Sequence, residues 1–111
     1  KKTEEYFQKA FTLVDNDPGQ INNLGWFLIL YDMNINEGLE LVDKALKLSP
    51  NDPAILDTKG WGLYKQGKYK EALHFLQNAD SLKPTSYDPT ISFHIQEVKK
   101  AIAGQKNDHS F

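Results

Sequence analysis

The sequence contains no cysteine and no arginine, and all 13 of its basic residues are lysines. The lack of cysteine excludes disulfide frameworks, thiolate metal sites and cysteine nucleophiles. The lack of arginine weakens the case for nucleic-acid binding, because arginine is the usual residue for bidentate recognition of phosphate and guanine. The net charge of −2 argues in the same direction. No apolar run approaches the roughly 18 residues that a membrane helix needs, so we expect no membrane insertion.

The remaining composition is typical of one globular domain. The 111 residues are 40% hydrophobic and 25% charged, which leaves enough apolar side chain for a core. No signal peptide is visible. The chain begins at Lys1 rather than methionine, so we expect a processed or excised piece of a longer protein. The sequence leaves the cellular compartment open.

An internal repeat organises residues 16–84. The segment Asn16-Asp17-Pro18 recurs 35 residues later as Asn51-Asp52-Pro53. The pair Gly25-Trp26 recurs as Gly60-Trp61 with the same spacing of 35. Ordered matches at a fixed period predict a repeat architecture, in which neighbouring copies stack to bury a shared core.

The spacing of the repeat changes once along the chain. The segment Glu37-Gly38-Leu39 matches Glu71-Ala72-Leu73, which is a shift of 34 rather than 35. Leu28 still recurs as Leu63 with the spacing of 35, so the first copy carries one extra residue between Leu28 and Glu37. A third Asp-Pro pair, Asp88-Pro89, begins a degenerate half-copy.

Each copy is predicted to form two helices. Asp-Pro suits a helix start, because aspartate can cap the helix and proline fits its first turn. Apolar residues then recur in steps of three and four, and no segment alternates as a half-buried strand would. The predicted fold is all-α, with about six helices in one domain over residues 1–103. Its units are a second helix of a partial repeat over 3–15, repeats over 18–50 and 53–84, a closing helix over 89–103, and a flexible tail over 104–111.

This pattern resembles the tetratricopeptide-repeat (TPR) family, whose repeat has 34 residues with a small/large signature. In the first copy the signature falls on Ile21, Leu24, Gly25, Leu28, Gly38, Val42, Ala45 and Pro50. In the second copy it falls on Leu56, Lys59, Gly60, Leu63, Ala72, Leu76, Ala79 and Pro84. The resemblance implies a right-handed superhelical solenoid of antiparallel helical hairpins with a concave face. The asparagine-rich turns resemble repeats common in bacterial proteins.

The resemblance also implies a candidate binding surface. Trp26 and Trp61 directly follow the packing glycines, a place that faces the concave groove in the family. The expected groove residues on the three first helices are Asn22, Trp26, Ile29, Asp57, Trp61, Tyr64, Phe93, Glu97 and Lys100. Aromatic residues are frequent anchors at interfaces, so the two tryptophans could hold a partner. They could equally pack into the core, and the sequence leaves both interpretations open.

Other sites receive little support from the sequence. Binding of heat-shock chaperone tails would need asparagine after the packing glycine, and tryptophan stands there instead. His74, His94 and His109 are too far apart to suggest a metal site, and we interpret them as polar surface or half-buried residues. No Gly-rich phosphate loop or Gly-x-Ser-x-Gly motif occurs, so we expect no enzyme activity, no cofactor and no metal.

Two functions remain as hypotheses. The first is a protein–protein interaction module that binds a peptide or partner segment in a groove floored by Trp26 and Trp61. The alternative is a structural spacer or self-assembly unit of a longer protein, with no groove ligand. The incomplete first repeat would leave Tyr6, Phe7 and Phe11 without a packing partner, which could drive self-association.

Overall fold

The computed structural model describes residues 16–83 and 89–109, with side chains through residue 105. These residues form five α-helices and no strand. The helices are α1 (Pro18–Leu30), α2 (Ile35–Leu48), α3 (Pro53–Lys65), α4 (Tyr69–Leu82) and α5 (Pro89–His109). The predicted all-helical fold is confirmed for this part of the chain. The helix predicted over 3–15, with Tyr6, Phe7 and Phe11, lies outside the described residues.

Three of the helices begin at the prolines of the Asp-Pro pairs, as predicted. The carboxylate of Asp17 accepts a hydrogen bond from the backbone N–H of Gln20 at 3.2 Å. The carboxylate of Asp52 accepts one from the backbone N–H of Ala54 at 2.9 Å. Each aspartate thus satisfies one of the N–H groups that a helix start leaves without an intrahelical acceptor.

The extra residue of the first copy lies in a turn. Helices α1 and α3 have 13 residues each, and α2 and α4 have 14 each. The copies therefore differ only in the connection between their two helices. In the longer turn Asp32 adopts a left-handed φ of 53°, while the shorter turn uses Gly67 at a φ of 83°. Aspartate is one of the few residues other than glycine that adopt this left-handed conformation relatively often.

Small residues allow the two helices of each hairpin to approach closely. A Cβ atom on Gly25 would lie 2.7 Å from the carbonyl oxygen of Gly38. One on Gly60 would lie 2.6 Å from Cγ of Leu76, which is fully buried. The buried signature residues are Ile21, Leu24, Gly25, Leu28, Gly38, Val42 and Ala45 in the first copy and Leu56, Gly60, Leu63, Ala72, Leu76 and Ala79 in the second.

The second hairpin packs directly on the first. A Cβ atom on Gly62 would lie 2.5 Å from Cδ2 of Leu39 and 3.0 Å from Cδ1 of Ile29, so this glycine admits side chains of the preceding copy. An ion pair of 2.8 Å between Lys59 and Asp43 crosses the same boundary. Helix α1 contacts α3, and α3 contacts α5. The first helices of the copies are therefore neighbours.

Helix α5 continues past Ala103, where we expected the helix to end, and reaches His109. The closing helix thus extends through 104–109, the start of the segment that we predicted as a flexible tail. A Cβ atom on Gly104 would meet nothing within 4 Å, so the residue is in open space. An exposed glycine costs a helix only about 1 kcal/mol relative to alanine, which does not stop it without a proline or a cap.

We predict that Gly60→Leu lowers the free energy of unfolding by about 2 kcal/mol or more, because the added side chain overpacks the contact with Leu76. Gly104→Leu is the matched control and should leave stability unchanged or raise it by up to about 1 kcal/mol. Urea unfolding followed by circular dichroism measures both. A Gly60→Leu protein as stable as the unmodified chain would contradict the assigned helix contact.

Candidate ligand-binding site

The described residues bury four polar side chains, and all four lie where α1, α3 and α5 meet. Asn22 comes from α1, Asp57 and Thr58 come from α3, and His94 comes from α5. Each is at most 8% exposed. Burial of a polar group costs free energy unless it finds a hydrogen-bond partner. This face is therefore chemically distinct from the apolar packing elsewhere in the fold.

A hydrogen bond between buried side chains joins α3 to α5. Nδ1 of His94 lies 2.7 Å from Oδ1 of Asp57, and the two side chains are 7% and 11% exposed. A carboxylate can only accept a hydrogen bond, so Nδ1 carries the proton and donates it. The hydroxyl of Thr58 donates to the backbone carbonyl of Ala54 at 3.0 Å and is engaged elsewhere. The geometry orients the imidazole ring and brings no described hydroxyl group to it.

Aromatic rings surround this histidine. The ring of Trp61 stacks on His94 with centroids 4.1 Å apart and on Tyr64 with centroids 4.6 Å apart. The ring of Trp26 lies 6.1 Å from that of His94. Both tryptophans are half-buried, so each has a packed and an accessible side. Trp61 also packs against the core cluster that includes Ile29, which gives it a structural role.

A cavity of about 450 Å³ opens beside Trp26. Its wall is formed by α1, the first turns of α3 and the start of α5, together with Lys83. The cavity lies within the range of roughly 300–1,000 Å³ that small-ligand sites occupy. Among the residues that line it are Asn22, Trp26, Asp52, Asp57, Lys83 and Ile91.

Asn22, one of the residues that line this cavity, carries an unsatisfied oxygen. Its Oδ1 atom is buried and has no hydrogen-bond partner among the described residues. An unsatisfied buried acceptor costs about 1–3 kcal/mol of stability. By contrast, Asp57, which stands at the equivalent place in the second copy, is bonded to His94.

The structure brings together most of the residues predicted on α1 and α3. Asn22, Trp26 and Asp57 line one cavity, and Trp61 and Tyr64 stack beside it. Ile29 does not belong to this surface, and its assignment to the groove was wrong. Its side chain is fully buried, because it fills space that Gly38 and Gly62 leave open.

The residues predicted on α5 are placed differently. Phe93 is 58% exposed, and His94 occupies the inward place that we assigned to Phe93. The ammonium nitrogen of Lys100 lies 3.3 Å from Oε2 of Glu97, and neither residue lines the cavity. Gln96 stands at the glycine place and is exposed, so no close contact holds α5 in the register of the earlier copies.

His94 is the functional candidate that sequence reasoning missed. We expected a surface or half-buried residue, and the structure shows a buried one at the centre of the cluster. The apolar residues Ile91, Ile95 and Val98 form the buried stripe of α5. Position 94 follows 91 by three and precedes 98 by four, so the stripe itself indicated that His94 faces inward.

The chain matches no protein-family model, and no curated protein is found to be similar to it. Within the described ranges, no group of three or more His, Asp or Glu side chains could hold a metal ion. No helix among the residues described has both the length and the apolar character needed to cross a membrane.

We predict that Asp57 and His94 are energetically coupled. Asp57→Leu alone should destabilise the fold by roughly 1–3 kcal/mol, because it leaves a buried imidazole N–H without an acceptor. The double change Asp57→Leu with His94→Phe should cost less than the sum of the two single changes, by about 0.5–3 kcal/mol. Urea unfolding of the four proteins gives this coupling. Simple additivity of the two single effects would show that the bond does not contribute.

Proposed function

We propose that this chain is a non-enzymatic, TPR-type interaction module that binds a peptide or partner segment across α1, α3 and α5. In this proposal the hairpins form part of a right-handed solenoid, and the three first helices line its concave face. Trp26 and Trp61 form the floor of the groove. The observation that carries the proposal is the cluster of buried polar side chains beside half-exposed tryptophans and an open cavity.

The repeat geometry supports the family assignment. The paired helix lengths, 13 and 13 residues followed by 14 and 14, are those of two equivalent hairpins. The glycines at equivalent places, Gly25 and Gly60, both make close helix contacts. The contacts of α1 with α3 and of α3 with α5 follow the nearest-neighbour pattern of repeat proteins.

The chemistry of the surface supports a partner segment as its ligand. Tryptophan and tyrosine provide large contact area with a polar edge, and they dominate binding energy at many interfaces. Trp26, Trp61 and Tyr64 are half-buried on this surface. Glu97 and Lys100 would stand at its rim. Such a row of aromatic groups suits an extended or helical segment that crosses all three helices.

A structural spacer is the second candidate, and the exposure of Phe93 favours it. This ring on α5 is 58% exposed and would be covered if further repeats packed on that helix. A spacer needs no ligand in the groove. The spacer hypothesis therefore predicts that isolated peptides show no saturable binding to the surface of Trp26 and Trp61.

The test selects peptides from a phage-displayed library on the whole chain and measures the affinity of the best sequences by fluorescence anisotropy. Trp26→Ala should weaken binding by tenfold or more, which corresponds to about 1.4 kcal/mol or more. It should leave the helical circular dichroism intact, because Trp26 is only half-buried. Trp61→Ala should reduce both binding and stability, because that ring stacks on His94 and Tyr64.

Tyr31→Ala is the matched control. Tyr31 is 63% exposed and stacks on Phe27 at 6.1 Å, away from the cavity lining. Its loss should leave peptide affinity unchanged. Failure to select any saturable binder, or equal effects of Trp26→Ala and Tyr31→Ala, would overturn the groove assignment.

A further inference from the structure

The side chain of Asn22 lies at a place where an apolar side chain would leave no buried acceptor unsatisfied. It is 8% exposed, and its Oδ1 atom is buried without a hydrogen-bond partner among the described residues. An unsatisfied buried acceptor is destabilising, whereas leucine at the same place would carry no such penalty. Asn22 is also among the residues that line a cavity large enough to admit a ligand group. The arrangement suits a hydrogen-bond donor on a ligand, which would satisfy this oxygen.

The charged groups around the cavity include two carboxylates, Asp52 and Asp57, and one ammonium group, that of Lys83. Asp57 uses Oδ1 to hold His94, and Asp52 uses Oδ1 to cap α3. Each leaves a second carboxylate oxygen with no hydrogen bond inside the described structure. The ammonium group of Lys83 lies 2.7 Å from the carboxylate of Asp80, so that cation is paired within the chain. The two aspartates thus offer acceptors and negative charge to a ligand in the cavity.

The shape and lining of the cavity select among possible donors. A carboxylate or phosphate would face repulsion from Asp52 and Asp57 and could not donate to Asn22. A neutral alkyl group would leave the asparagine oxygen unsatisfied. A cation would satisfy the acceptors and could also lie against the ring of Trp26, where cation–π attraction applies. Its aliphatic stem could pack on Ile91, which also lines the cavity.

We infer that the cavity beside Trp26 takes the ammonium or guanidinium group of a lysine or arginine side chain carried by the bound partner. Asn22 accepts a hydrogen bond from this group, and Asp57 and Asp52 balance its charge. The inference rests on the proposed function in that the cation belongs to a segment in the groove. It adds the chemical class of residue that the groove recognises.

The direct probe is Nα-acetyl-lysine N-methylamide, titrated onto the whole chain and followed by tryptophan fluorescence and by NMR of the Asn22 side-chain amide. The neutral analogue, Nα-acetyl-norleucine N-methylamide, has nearly the same shape without the charge. The lysine compound should bind at least tenfold more tightly than the norleucine compound. Equal affinities for the two compounds on the unmodified chain would overturn the inference, whatever the behaviour of any variant.

Asn22→Leu separates a binding role from a structural one. It should weaken binding of the lysine compound by tenfold or more, while its melting temperature stays the same or rises because a buried unsatisfied oxygen is removed. Asn78→Leu, at an exposed asparagine on α4, is the matched control and should bind as the unmodified chain does. Unchanged affinity in Asn22→Leu would contradict the assignment.

Two further arms separate this inference from the proposed function. One outcome is that selected peptides bind through Trp26 without a preference for lysine or arginine, and with the same affinity for the Asn22→Leu protein. In that case the inference fails and the proposed function stands. If 1,5-diaminopentane binds in an Asn22-dependent way and no peptide binds, the cavity takes a free amine, and both the peptide-binding function and the assignment to a partner's side chain fail.

Discussion

Helices α1 and α2 approach so closely that a methyl group at Gly25 would collide with the backbone of Gly38. The same constraint acts at Gly60, where the side chain of Leu76 occupies the space of the missing Cβ. Because each hairpin closes at these points, its remaining apolar residues can bury one another and present a common edge. The spacing of the glycines therefore determines which side of each hairpin is left for contact with its neighbour and which side remains available.

The side of the hairpins that remains available, across α1, α3 and α5, contains polar groups that do not contribute to apolar packing. Across α1, α3 and α5, polar groups are buried and large aromatic rings are half-exposed, an arrangement that apolar packing would improve upon. Proteins usually break local packing rules where a site requires it. The bond between Asp57 and His94 compensates part of the cost by joining two helices. The buried oxygen of Asn22 has no hydrogen-bond partner within the described residues, so its cost is not offset there. It is therefore the atom on which our ligand assignment depends.

The repeat spacing predicted the helix starts, the buried signature residues and the separation of the two hairpins, because all of these depend on local periodicity. It also placed Asn22, Trp26 and Asp57 near one another. Periodicity could not place Ile29, whose direction depends on space left by two glycines in other helices. It also misplaced α5 by one residue, because Gln96 provides no close contact to hold the register and the buried stripe through His94 decides the orientation instead.

The most direct measurement is a crystal structure of the chain with a lysine-containing peptide selected on it. Our account predicts that the segment lies across Trp26 and Trp61, with one cationic nitrogen roughly 2.7–3.2 Å from Oδ1 of Asn22. It also predicts that the buried pair of Asp57 and His94 stays intact behind the ligand. A peptide bound on the outer faces of α2 and α4, with the cavity beside Trp26 holding only water, would contradict the account.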